Sequence, residues 1–235
     1  VIGCMSPENV KYVISNNYVK TKIVEICPNT ITPQNIDLKD SEKKSIRQKY
    51  DIPIDKTIYV YGGNIGKPQG VDFIVECLRQ NEANVETFIL IVGSGTEYKR
   101  LRKAFDTYKF KKSKLLESMP KSDYELLANA SDVGLVFLDS RFTIPNFPSR
   151  ILSYMQAGMP ILLATDKSTD VGRLVEENLF GHWCESTKSD RFIELMNLFK
   201  DEVYREELGR NAKRYLNNNY TSKHAYEIIM SHFEK

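Results

Sequence analysis

Two loops in this 235-residue chain carry residue types suited to holding an anion. The stretch from Thr143 to Ala164, TIPNFPSRILSYMQAGMPILLA, opens with a proline-rich loop that places Arg150 directly after Ser149. Ser149 has the side chain of a helix cap, and Arg150 falls in the first turn. Gly158-Met159-Pro160 then ends the helix before a buried strand, Ile161 to Ala164. A helix that starts at a strand end offers unpaired N–H groups and the positive end of its dipole, so with a guanidinium beside it the place suits a phosphate. The second loop is Gly62-Gly63-Asn64-Ile65-Gly66-Lys67-Pro68-Gln69-Gly70. Its small residues permit close backbone approach and Lys67 supplies charge. Its spacing fits neither the P-loop nor GxGxxG, so on residue pattern alone a plain tight turn remains the other reading. For the first stretch the other reading is a proline-capped surface helix between two strands.

The remaining candidates point away from metal, redox and nucleic-acid chemistry. Cys4, Cys27, Cys77 and Cys184 are scattered without CxxC spacing, as buried free thiols of a reducing compartment would be. His182, His224 and His232 show no paired-ligand spacing, so no metal is expected. Asp166 and Asp170 flank Lys167-Ser168-Thr169 and read as a post-strand loop and a helix cap rather than an acid–base pair. Gly93-Ser94-Gly95 reads as a sharp turn above a sheet, and Trp183 as a core or domain-face residue. Net charge is +2, from 33 basic and 31 acidic residues, which gives no reason to invoke nucleic acid. The basic run Lys109 to Lys114 reads as a solvated helix end. No apolar run approaches the ~18 to 20 residues of a membrane span, and no signal peptide is visible.

These loops must be held by an alternation of strands and helices. Ser6-Pro7-Glu8 reads as a helix start, Lys22 to Ile26 as a short strand, and Asp40 or Ser41 as the start of a helix running to about Tyr50. From Ile58 the pattern is regular, with strands expected at 58–61, 88–92, 115–117, 133–138, 161–164 and 182–184. Helices fall between them, one opened by a capping box at Ser122-Asp123-Tyr124-Glu125. Three helical segments, 190–200, 202–217 and 221–233, close the chain. Continuous apolar strands alternating with helices predict an α/β fold, a doubly wound parallel six-stranded Rossmann-like sheet with its ligand at the carboxyl ends of the strands. The chain begins Val-Ile-Gly, as though cut from something longer, and its first 26 residues precede the regular alternation.

The segments GNIGKPQG, VGSG and FPSRILSYMQAGMPILLATD, in that order, resemble the donor-binding half of the retaining family-4 glycosyltransferases. They are most similar to the branch that builds bacterial capsular and surface polysaccharides. Nearly the whole chain is covered. The resemblance implies the C-terminal half of a two-domain enzyme. Residues 1–26 would be an interdomain segment left from a missing N-terminal domain, 27–217 the nucleotide-sugar-binding Rossmann-like domain, and 218–235 a closing helix. The implied substrate is a nucleoside-diphosphate sugar, UDP being the commonest base, with no separate cofactor and no metal. Gly63, Asn64, Ile65, Gly66 and Gln69 would meet the phosphates, Met119 and Pro120 the base, and Asn146, Phe147, Pro148, Ser149 and Ser153 the sugar, β-phosphate and ribose. Arg150 and Lys67 would act catalytically by stabilising charge on the departing diphosphate.

The match departs from the family at four positions. Many members carry arginine where Asn64 stands and lysine where Gln69 stands, and two glutamates where Pro145 and Ser153 stand. Losing the second glutamate should weaken the grip on ribose by about 1.5 to 3 kcal/mol. A glycan or lipid-linked acceptor would meet the missing domain, so this chain is expected to bind donor with little transfer. The resemblance also implies a cytoplasmic place, peripheral at the inner face of the membrane. Two rivals stand beside it: a nucleotide-sugar 2-epimerase of the same architecture, and a degenerate, non-catalytic binding module.

Overall fold

The computed structural model describes residues 1–16 and 23–233; Lys22, at the start of the expected strand, and residues 234–235 of the closing segment lie outside them. At the beginning, β1 (Ile2–Cys4) pairs in parallel with β2 (Val24–Ile26), and α1 (Pro7–Ser15) lies between them in sequence. Ser6 caps α1 as its sequence suggests, its hydroxyl accepting from the Asn9 amide, with Pro7 in the first turn. Next comes α2 (Asp40–Lys49), whose buried Arg47 donates from Nη2 to both oxygens of Asp132 at 2.9 Å and from Nε to the Ala130 carbonyl at 2.7 Å.

The central sheet has six parallel strands: β3 (Thr57–Asn64), β4 (Thr87–Ser94), β5 (Ser113–Leu116), β6 (Val133–Phe137), β7 (Ile161–Thr165) and β8 (Gly181–Glu185). They lie in the order β5-β4-β3-β6-β7-β8, the doubly wound arrangement expected. Each strand is followed by a helix: α3 (Val71–Asn81), α4 (Tyr98–Tyr108), α5 (Lys121–Asn129), α6 (Arg150–Gln156), α7 (Val171–Glu177) and α8 (Ser189–Leu198). A 3₁₀ turn, Lys67–Gln69, precedes α3, and α9 (Glu202–Asn219) and α10 (Ser222–Met230) close the chain.

The four inner strands are largely apolar and buried because both faces are covered, whereas the edge strands β5 (SKLL) and β8 (GHWCE) are mixed. Along β3, Ile58 and Val60 join the core under α5, α6 and α9, whereas Tyr59 and Tyr61 join the core under α3 and α8. One expected start signal is not used. The capping box at Ser122 does not form, because the Tyr124 amide already donates to the Pro120 carbonyl at 3.0 Å and the helix begins at Lys121.

The two central strands part almost at once. β3 pairs with β4 from Thr57 to Asn64, but with β6 only at Tyr59↔Val133 and Val60↔Gly134. Beyond that point the fully buried hydroxyl of Tyr154 stands between them. It accepts from the Gly62 amide at 3.3 Å, and its proton reaches the carbonyls of Val60 and Leu135 at 3.1 and 3.2 Å. The ring needs Gly134 beneath it, where an added Cβ would come within 2.3 Å. Tyr154 is thus a wedge that opens the sheet while satisfying the groups it separates.

The loop after β6 is pinned from behind. Asp166 Oδ1 accepts from the amides of Ser168 and Thr169 at 2.8 and 3.0 Å, folding the loop after β7. The hydroxyls of those two residues then donate to the carbonyls of Phe142 and Asn146 at 3.1 and 2.9 Å. From the other side, Asn9 Nδ2 donates to the Pro145 carbonyl at 2.7 Å, and Phe147 packs against Tyr220. Asp170 stands at the cap position of α7 but makes no cap bond there; its Oδ2 accepts instead from the Glu8 amide at 3.1 Å.

Replacing Tyr154 by Phe strands the Gly62 amide and two carbonyls, so unfolding should become easier by about 1 to 3 kcal/mol. A lower urea midpoint with an unchanged slope would show it, and an unmoved midpoint would refute the wedge. Asp166 gives a pH prediction. Burial raises its carboxyl above the ordinary value, against the pull of the two amides. A carboxyl whose folded-state pKa is raised holds its proton more tightly in the fold, so stability falls as pH rises from the ordinary value through the raised one. The advantage in melting temperature of Asp166→Asn over the native chain should therefore grow from pH 4 upward and level off by neutrality. A shrinking advantage would mean that the amides outweigh burial.

Candidate functional site

Directly above the parting strands lies a cleft of about 420 Å³. Its floor is Leu135 to Leu138 of β6 and its extension, one wall is Tyr61 to Asn64 with Gln69, and the other is Asn146 to Arg150 with Ser153. A second hollow of about 550 Å³ lies on the flank against Met5, Leu174, Tyr215 and Ile228, away from the strand ends, with Phe147 between the two. The first cleft is the one at the carboxyl ends and at the reversal of strand order, where open α/β sheets bind ligands.

Arg150 is the only charged residue lining this cleft among the described residues. It is half-buried and has no hydrogen-bond or ion-pair partner among them. Its guanidinium lies over the ring of Tyr124, 5.0 Å from the centroid. Burial raises the hydroxyl pKa values of Tyr61 and Tyr124, and the Arg150 charge opposes that rise in both. The guanidinium also passes close to Gly63, where an added Cβ would sit 3.3 Å from Nη2 and where φ is +149°. At Gly62 an added Cβ would overlap the Tyr124 ring at 2.1 Å. The glycine pair therefore makes room for an arginine–tyrosine stack as well as for any ligand.

The β3–α3 loop is closed largely upon itself. The Gly66 amide donates to Gln69 Oε1 at 3.0 Å, Asn64 Nδ2 lies 3.4 Å from the same oxygen, and Tyr61 donates to the Asn64 carbonyl at 2.6 Å. Asn64 and Gln69, the two positions where charge is absent, thus brace the loop.

Of the residues expected at the site, Gly63, Asn64, Gln69, Asn146, Phe147, Pro148, Ser149, Arg150 and Ser153 line the cleft together. Lys67 does not. It is exposed and lines a neighbouring cavity of about 350 Å³ with Pro68, Arg141 and Ile144, because Pro68 turns the chain and its carbonyl accepts from the Asp139 amide at 2.8 Å. Ile65 is fully buried, and both its backbone groups are used, bonding to Ser94 and Glu97. Gly66 is buried beside Asn64 and Gln69. Met119 packs against the core and Pro120 starts α5; neither lines the cleft. Ser149 is itself helical, at φ −62° and ψ −15°, and makes no cap bond. The amides of Ile151 and Leu152 bond back to the carbonyls of Pro148 and Ser149, at 3.3 and 3.1 Å, so the start of α6 is less open than its sequence suggests. Tyr61 in the lining and Tyr124 beneath Arg150 were not indicated by spacing. The two consecutive glycines were the one signal that something bulky lay against them.

Among the described residues no carboxylate, histidine or cysteine lines the cleft, and the groups that do line it offer charge stabilisation and hydrogen bonds rather than proton transfer or nucleophilic attack. Among the described residues, no three of His, Cys, Asp and Glu gather as metal ligands would, and no helix is long and apolar enough to cross a membrane.

Comparison with known proteins bears on the family and the fold. The family model described as "Glycosyl transferases group 1" matches residues 42–215. WcaI of Escherichia coli (strain K12), whose name provisionally calls it a colanic acid biosynthesis glycosyl transferase, is 24% identical over 137 residues, 58% of this chain and 33% of its own length. The chain thus spans about a third of the length of the curated relatives it matches, 33% and 32%. HepE of Anabaena, in a crystal structure with UDP and glucose, superposes with a TM-score of 0.83 at 15% identity, over 100% of this chain and 63% of that one. A glycosyltransferase of Rickettsia africae superposes with a TM-score of 0.79 at 14% identity, over 99% of this chain and 63% of its own. At these identities the structural likeness is one of fold.

Proposed function

The chain belongs to the group 1 glycosyl transferases, and on that footing we propose that it is the donor-binding part of a retaining enzyme. The enzyme would move a sugar from a nucleoside diphosphate, UDP foremost, to a glycan or lipid-linked acceptor. The observation that carries this reading is the unpaired guanidinium of Arg150 on the wall of the cleft at the strand reversal. A diphosphate accumulates negative charge as its bond to the anomeric carbon breaks, and a preorganised cation stabilises that charge as it forms. Lys67, facing the neighbouring cavity, adds positive potential rather than contact. The sugar nucleotide is the substrate and no further cofactor is invoked. The uridine preference follows HepE, whose structure holds UDP with glucose. The surface-polysaccharide acceptor follows the name of WcaI.

The acceptor would be met by a further domain. Residues 1–26 and 218–235 are the segments that would face that domain, and a lipid-linked acceptor would bring the enzyme to the inner face of the membrane. A nucleotide-sugar epimerase needs acid–base side chains at the sugar, and among the described residues none lines this cleft. A binding-only module is the second reading, favoured by the neutral residues Asn64, Gln69 and Ser153 where charge is usual. It would hold UDP-sugar without hydrolysing or transferring it.

Calorimetric titration should show UDP bound by the native chain. Arg150→Ala should lose about ten- to a hundred-fold in affinity, the worth of a hydrogen bond to a charged group at roughly 1.5 to 3 kcal/mol. Equal affinity in both, or no affinity for any nucleoside diphosphate, would sink the proposal. Ser153→Glu restores a carboxylate at the cleft and should tighten UDP by about ten-fold, with a smaller gain for dTDP, which lacks the 2′-hydroxyl. Identical gains for the two nucleotides would place the ribose elsewhere.

A further inference from the structure

We propose that Tyr124 is the positioning residue that aims Arg150 at the diphosphate, and that it does so without cancelling the arginine's charge. The inference rests on the reading of the cleft as a nucleotide-sugar site. An arginine held ready for an anion is usually oriented by a carboxylate, whose negative charge also weakens its pull on the ligand. Arg150 has no such partner among the described residues, and no carboxylate lines the cleft beside it. A long side chain with no partner would be free to sweep, and that freedom would be lost on binding. Here the guanidinium rests on the face of the Tyr124 ring, 5.0 Å from its centroid. An aromatic face attracts the cation through its quadrupole while carrying no net charge, so the positive charge stays available to the ligand.

The ring is itself fixed. Tyr124 is 9% exposed and belongs to the core beneath α5, at a helical position set by the bond from its amide to Pro120. Its ring fills the space that a side chain at Gly62 would need, and Gly63 leaves room for the guanidinium above. Among the described residues the hydroxyl makes no hydrogen bond of good geometry, its polar neighbours being the Tyr154 hydroxyl and the Arg150 guanidinium. The useful part of the side chain is therefore the ring face, and the oxygen is dispensable. Phenylalanine should serve in its place and an aliphatic residue should not.

The test is calorimetric titration of the purified chain with UDP and with uridine. Tyr124→Leu should weaken UDP by about three- to thirty-fold and leave uridine unchanged, because only the phosphates meet Arg150. Tyr124→Phe should restore UDP binding. In an Arg150→Ala background, Tyr124→Leu should have no further effect on UDP. A role in packing alone would shift uridine and UDP together and would persist in that background, and either result overturns the proposal. So does native UDP affinity in Tyr124→Leu when Arg150→Ala has lost it. If Arg150→Ala binds UDP as well as the native chain does, the reading of the cleft fails first. Should Tyr124→Leu not fold, Tyr124→Met carries the same comparison.

Discussion

The structure depends on how early β3 and β6 separate. A parallel sheet normally keeps its ladder to the strand ends, but here the central pair is joined at only two positions. Opening a sheet inside a core strands backbone groups, each costing about as much as a lost hydrogen bond. The Tyr154 hydroxyl offsets that cost from α6, and Gly134 admits its ring. The same short helix starts with Arg150. One seven-residue element therefore both opens the cleft and supplies its charge. Fold and site meet in α6.

The site is economical in charge. This chain uses Asn64 and Gln69 to brace a turn, and Ser153 of α6 leaves the opposite wall neutral beside Arg150. With Arg150 the one charged residue in its lining among the described residues, the cleft has a field set by that guanidinium and by backbone dipoles. Its orientation then matters more than it would in a cluster, where one misplaced charge is covered by its neighbours.

What the sequence made legible was mostly local. Ser6 and Pro7 start α1 as read, and the inner strands stand out because both faces of each are buried. The cleft lining between Asn146 and Ser153 and at Gly63 was legible from motif order alone. The errors arose where distant packing decided. Ser122 loses its role as a cap because the helix begins at Lys121, with Pro120 at the cap position, and Ser149 because it is itself helical. Lys67, singled out for its charge, lines the neighbouring cavity where the Pro68–Asp139 bond holds the chain. β1 is too short to show a period and is defined only by its partner β2. Tyr124 could not be placed by spacing, since its role follows from a ring lying against Gly62, 62 residues away in sequence.

The bond from Asn9 to the Pro145 carbonyl ties the opening segment of the chain to the residue next to the cleft wall, 136 residues away, and that from the Glu8 amide to Asp170 ties it to the start of α7, 162 residues away. These two contacts place α1 mechanically in series with the loop that ends at Arg150. A displacement of α1 must either break the Asn9 bond or drag Pro145 with it, and Pro145 is five residues from the guanidinium. The leverage runs in both directions: whatever load the first helix bears is felt in the cleft, and whatever tightens the cleft stiffens the first helix.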